Sequence, residues 1–125
     1  MRILLDTHIY LWWLQDSPKL SPLARDIISS ATEVYVSSVS LWEAAIKITL
    51  GKLDADITEL AAQILPCGFI ELPVTAKHVL QLMHLPDLHR DPFDRMLVAQ
   101  AMCEPLRLLT ADAQVASYSD LVDLV

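Results

Sequence analysis

The sequence predicts an α/β fold, a three-layer α/β/α sandwich around a mostly parallel central sheet of four to five strands. Two observations carry this expectation. Short β-type runs alternate with segments of helical spacing along the whole chain, the order that produces strand–crossover–strand units. Hydrophobic residues make up 54% of the 125 residues and charged residues 20%, which suits one compact core and one domain over residues 1–125. No internal repeat, linker or low-complexity stretch interrupts the pattern.

The elements follow in order. Ile3-Leu4-Leu5 reads as a strand that stops at Asp6-Thr7-His8. A helix from about Ile9 to Gln15 ends at Ser17-Pro18, and Ser21-Pro22 opens a second helix through Ile27-Ile28, with serine as cap and proline at the first helical position. Val34-Tyr35-Val36 is β-branched and aromatic, a second strand. Ser38 or Ser40 is expected to cap a helix carrying Leu41, Trp42, Ala45 and Ile46, which ends near Gly51. Asp54 to Leu65 has helical spacing closed by Pro66, and Phe69 to Leu72 reads as a third strand. Thr75 caps a helix bearing Val79, Leu80 and Leu82. The polar loop Pro86 to Arg90 leads into a helix from Asp91 or Pro92 to Met102. Arg107 to Thr110 is a fourth strand and Leu121 to Val125 a candidate fifth.

Composition excludes several kinds of chemistry. Two glycines, Gly51 and Gly68, cannot build a P-loop, a dinucleotide fingerprint or a glycine-flanked serine elbow. Two cysteines, Cys67 and Cys103, cannot make a zinc ribbon or a disulfide framework and read as small buried apolar residues. The longest apolar run, Ile9 to Leu14, is too short to span a bilayer, and the run at Met1–Leu5 meets Asp6 too soon for a signal peptide. A cytoplasmic location without membrane attachment is therefore expected. The net charge of −7 gives no global basic face for nucleic acid. Affinity for a polyanion would have to be local, or carried by divalent cations on acidic side chains.

Five acids fall where such cations could bind. Asp6 follows the first strand, Asp112 follows the fourth by two residues, and Glu43 lies in the first turn after the second. All three belong at the carboxyl edge of a parallel sheet, where ligands bind in open α/β folds. Asp91 and Asp94 are three apart in the first turn of one helix and share a face. Taken singly, each acid could be a helix cap or a turn residue. Jointly, like charges converging on one edge repel unless a cation is present, and an all-oxygen set suits Mg²⁺ or Mn²⁺ rather than zinc. The reaction class that follows is metal-assisted phosphodiester hydrolysis.

Five blocks in order and at matching spacing give the chain a resemblance covering nearly its whole length. Leu4-Leu5-Asp6-Thr7-His8, Ser40-Leu41-Trp42-Glu43-Ala44-Ala45-Ile46-Lys47, Leu50-Gly51-Lys52-Leu53, His89-Arg90-Asp91-Pro92-Phe93-Asp94-Arg95 and Leu108-Leu109-Thr110-Ala111-Asp112 together resemble a PIN-domain ribonuclease, more narrowly a VapC-type toxin of a type II toxin–antitoxin pair. The resemblance implies an endoribonuclease in which Asp6, Glu43, Asp94 and Asp112 hold one or two Mg²⁺ or Mn²⁺ ions, with Asp91 a companion acid of the same helix turn. It further implies Thr7 and Thr110 as residues orienting carboxylates, an antitoxin protein as partner, RNA as substrate, and a homodimer. The block around Asp112 departs from the pattern: Ala111 stands where a basic residue is common, which leaves less local help for phosphate.

Other candidates carry two readings each. Lys47, four residues after Glu43, suits a helical ion pair or a phosphate contact. Arg90 and Arg95 flank the acids and suit RNA phosphate or a carboxylate buttress. His8, His78, His84 and His89 form no metal-ligand spacing. With Tyr10, Trp12 and Trp13 adjacent on one helix, at least one tryptophan is expected to face outward, partly buried or against a partner. Two rivals share the fold expectation. A phosphoacceptor signalling domain would need an acidic pair before the first helix, whereas Asp6 stands alone there; a catalytically silent PIN-fold binding module would keep the fold without the reaction.

Overall fold

The computed structural model describes residues 1–88 and 90–125; His89, one of the histidines weighed above, lies outside the described residues. Five strands, β1 (Arg2–Leu5), β2 (Glu33–Ser37), β3 (Ile70–Leu72), β4 (Arg107–Thr110) and β5 (Val122–Leu124), form one sheet in the order β3-β2-β1-β4-β5. Every neighbouring pair is parallel, so the expected mostly parallel sheet is wholly parallel over these strands. The helices are α1 (Thr7–Gln15), α2 (Pro22–Ser30), α3 (Ser38–Thr49), α4 (Ile57–Ala62), α5 (Ala76–Leu82), α6 (Pro92–Cys103) and α7 (Ala113–Ala116). None is long and apolar enough to cross a membrane.

The period-two alternation of strands builds the three layers. Ile3 and Leu5 of β1 face Ile9 and Tyr10 of α1 and Ala24 and Ile28 of α2. Leu4, between them, faces Leu97, Val98 and Ala101 of α6 and Val115 of α7. All three β1 side chains are fully buried, as a central parallel strand covered on both faces requires. Because β1 is flanked by β2 on one side and β4 on the other, the chain reverses its direction of winding beside β1. The ends of β1, β2 and β4 therefore emerge together at the switch point, each running into the start of a helix or helical turn.

Several boundaries differ from expectation. Helix α1 begins at Thr7, directly after Asp6, two residues earlier than apolar spacing indicated. Strand β2 runs into α3 without a loop, so Ser37 rather than Ser38 or Ser40 is the cap, its Oγ accepting from the Val39 N–H at 3.0 Å. Helix α4 is half the expected length. The Asp56 carboxylate accepts from the Thr58 N–H at 2.9 Å and starts the helix there, since short polar side chains compete for backbone groups ahead of a cap. Helix α7 was not anticipated; Asp112 supplies its cap. Trp12 and Trp13 are both half-buried, Trp13 against Phe69, and the outward-facing tryptophan is Trp42 of α3 at 61% exposure. Cys67 and Cys103 are half-buried free thiols rather than core residues.

Gly51 ends α3 in a left-handed turn, φ 73°, with the Lys52 N–H donating to the Lys47 carbonyl at 2.8 Å and the Gly51 N–H to the Ile48 carbonyl at 3.0 Å. This paired closure is the Schellman arrangement, for which glycine has no steric penalty.

Leu4→Ala in the middle of the sheet is expected to cost about 3 kcal/mol in urea unfolding, because Leu4 is sealed from solvent and its neighbours belong to rigid elements. A loss below about 1 kcal/mol would contradict the packing described.

Candidate active site

Asp6 occupies the cap position of α1, yet its side chain makes no cap hydrogen bond. Its Oδ2 instead accepts from the Thr110 hydroxyl at 2.6 Å, a contact between the ends of adjacent strands β1 and β4. The backbone pins the same residue from both sides: its N–H donates to the Leu109 carbonyl at 2.9 Å and its carbonyl accepts from the Tyr10 N–H at 3.1 Å. Asp6 is 5% exposed. Burial pushes its carboxyl above the ordinary aspartate range, and the nearby Glu43 adds to the rise. The Thr110 hydroxyl, His8 and the Thr7 N–H pull in the opposite direction without cancelling it.

Glu43 is the second buried acid, 3% exposed on the first two turns of α3. Its Oε2 lies 2.7 Å from Lys47 Nζ, the i,i+4 ion pair expected from spacing. Its Oε1 is buried and has no hydrogen-bond partner among the described residues. A buried carboxylate oxygen without a donor is costly, and a hard cation is one chemical species that satisfies it. The α1 and α3 starts are clasped by a buried bond from the Thr7 hydroxyl to Ser40 Oγ at 2.9 Å. Ser40, considered above only as a cap, lies one turn before Glu43 and on its face, a signal present in the i,i+3 spacing.

The other three acids divide by role. Asp112 is exposed, and its Oδ1 caps α7 by accepting from the Gln114 N–H at 2.9 Å. Its own N–H donates to Thr110 Oγ1 at 3.0 Å, so one threonine hydroxyl links the Asp6 and Asp112 positions. Asp91 caps α6, its Oδ1 accepting from the Phe93 and Asp94 N–H groups. Asp94 is buried in the first turn of α6. Trp42 and Phe93 pack edge to face at 5.0 Å and set the starts of α3 and α6 side by side; the residues following them in sequence are Glu43 and Asp94. Among the described residues, no three acid, histidine or cysteine side chains stand close enough together to hold one ion. Asp6 and Glu43 are brought into electrostatic contact and Asp112 is tied to Asp6 through Thr110, whereas the Asp91 and Asp112 carboxylates are turned back onto their own helices.

Arg95 donates to the Pro86 carbonyl at 2.9 Å and the Tyr118 hydroxyl at 3.1 Å, tying the loop before α6 to the segment after α7. Asp6 and Asp112 line a hollow of about 240 Å³ together with His8, Trp12 and Ala111. The chemistry of the donor set among the described residues, carboxylate oxygens with one left unpaired, fits Mg²⁺ or Mn²⁺.

An aspartate whose pKa is raised on folding lowers stability as pH climbs from its ordinary value near 3.8 through the raised one, since the unfolded chain releases the proton first. Asp6→Asn is therefore expected to raise Tm of the metal-free protein at pH 7, by roughly 4 °C per 1 kcal/mol gained. The difference between variant and wild type should shrink toward pH 4. Calorimetry that found the variant less stable at pH 7 would contradict the burial argument.

The PIN domain family model matches residues 3–121. The chain is 30% identical over 123 residues to Ribonuclease VapC22 of Mycobacterium tuberculosis, covering 93% of this chain and 91% of that relative. Among solved structures it superposes on VapBC2 of Rickettsia felis bound to a DNA fragment from its promoter, with TM-score 0.73, 16% identity and coverage of 100% of this chain and 98% of that one. It also superposes on a toxin-antitoxin complex from Klebsiella pneumoniae, with TM-score 0.68, 13% identity and coverage of 97% and 95%. The Sarcin-Ricin loop cleaving toxin VapC20 of Mycobacterium tuberculosis follows at TM-score 0.65 and 17% identity, over 94% of this chain and 97% of that one. The superpositions agree with the α/β fold, and by the family match over residues 3–121 this chain belongs to the PIN domain family.

Proposed function

We propose that this chain is a metal-dependent endoribonuclease and that it acts as the toxin of a toxin–antitoxin pair. The observation that carries the reaction is the buried pair Asp6 and Glu43 at the switch point of the sheet, with Glu43 Oε1 left without a donor among the described residues. Support for RNA and for an antitoxin comes from the relatives' names: VapC22 is a ribonuclease, and two of the structural neighbours are toxin–antitoxin assemblies. In this reading residues 1–125 are one PIN-like domain that works in the cytoplasm as a homodimer.

Asp6, Glu43, Asp94 and Asp112 would hold the cation, with Asp91 a further donor once released from its cap. A bound Mg²⁺ or Mn²⁺ supplies positive charge against the phosphodiester and makes nearby water more acidic. The chain's own residues do the rest. The Thr110 hydroxyl orients Asp6 and fixes the Asp112 backbone, so the two strand-end acids keep a constant spacing. Lys47 holds one oxygen of Glu43 and leaves the other facing inward. The Thr7–Ser40 bond keeps the helices that bear Asp6 and Glu43 from sliding apart. Water adds to phosphorus, the phosphorus–oxygen bond to the leaving ribose oxygen breaks, and that oxygen takes a proton.

Structured RNA incubated with the full chain should be cut with Mg²⁺ present. Chelator or Asp6→Asn should reduce the rate by about a hundredfold or more. Equal cleavage under all three conditions would remove the carboxylate site from the account. Expressing the chain alone in a bacterial host should arrest growth, and co-expressing the protein encoded beside it should restore growth; arrest that persists with Asp6→Asn would count against a nuclease as its cause.

A further inference from the structure

A second hollow, of about 410 Å³, lies between α1 and α3 and is lined by His8, Trp12, Gln15, Lys19, Lys47 and Lys52. His8 and Trp12 also line the hollow that contains Asp6 and Asp112, so the two spaces meet at this ring pair, whose centroids are 5.9 Å apart. Three of the four lysines in the chain gather here, although the net charge is −7. Lys47 is committed to Glu43, and Lys77 elsewhere to Glu104. Lys19 and Lys52 are exposed and form no ion pair among the described residues. Local geometry puts them there. The left-handed turn at Gly51 folds Lys52 back beside the last turn of α3, and the Lys19 N–H is held by Ser17 Oγ at 3.2 Å after α1 ends.

We propose that this cleft is the track for the single-stranded RNA flanking the cut: Lys19 and Lys52 each take a backbone phosphate, and Trp12 offers its face to a base between the track and the carboxylates. The assignment rests on the ribonuclease reading above for its substrate. Unpaired ammonium groups suit phosphates, and aromatic rings beside a basic groove suit splayed bases. An acidic protein segment would match the lysines but has no use for the rings or for the neighbouring Asp6 hollow.

Binding of a fluorescein-labelled single-stranded RNA of about ten nucleotides, within the usual span of such grooves, tests the track by anisotropy, with cleavage of the same RNA followed in parallel. Lys19→Ala/Lys52→Ala should raise Kd about tenfold and lower the slope of log K against log salt by about 1.4, two phosphates at about 0.7 each for a single strand. Lys19→Arg/Lys52→Arg should restore both. Lysine-dependent binding without cleavage by the wild type would keep the track and overturn the nuclease reading. Cleavage with Kd and salt slope unmoved by the alanine pair would overturn the track. So would an alanine pair that binds RNA as the wild type does and loses only affinity for a poly-glutamate peptide.

Discussion

The structure depends on a carboxylate buried at the end of its central strand. Asp6 is fixed by three hydrogen bonds to elements distant in sequence or on the other side of the strand end, the longest-range of which reaches Thr110, 104 residues away. An aspartate at a helix cap position has a cheap use for its side chain, namely the N–H groups of the second and third residues of α1. This one does not take it. The partial positive charge of the helix start still favours an anion there, but burial and Glu43 work against ionisation. A fold selected for stability alone would not retain that arrangement, and strain of this kind is concentrated at functional sites.

Charge is sorted around this point. The two most buried acids meet at the switch point, while Asp91 and Asp112 satisfy α6 and α7 through one oxygen each. On the other side of the His8–Trp12 pair the sign changes, and lysines line the adjoining cleft. An acidic protein thereby presents a short basic surface next to an anionic pocket. For a polyanionic substrate this ordering would separate attraction from reaction, with the ammonium groups holding phosphates that are not cut and the carboxylates facing the one that is.

Much of the fold was legible because its signals are local. The alternation of apolar runs and helical spacing placed all five strands, and Pro22 and Pro92 each marked the first residue of a helix. The failures came where one short polar side chain chose between neighbouring roles. Ser37, Ser38 and Ser40 are equivalent as caps on paper, and only the run of β2 directly into α3 decides for Ser37. For the acids, sequence could place Asp6, Glu43 and Asp112 at one edge but could not tell a cap from a buried anion. That distinction rests on Thr110, whose hydroxyl arrives from the opposite end of the chain. The pairing of Lys52 with Lys19 is not legible in the sequence for a similar reason. They lie 33 residues apart and meet across a cleft that exists only once α1 packs against α3.

Anomalous diffraction from crystals of the full chain grown with Mn²⁺ decides whether Asp6 and Glu43 share a cation. An ion coordinated by oxygens of both Asp6 and Glu43 at roughly 2.2 Å, close to the Mg²⁺ distance, is expected. Glu43 Oε1 should be among its ligands. Manganese density confined to exposed carboxylates, with Oε1 of Glu43 satisfied by a protein donor, would contradict it.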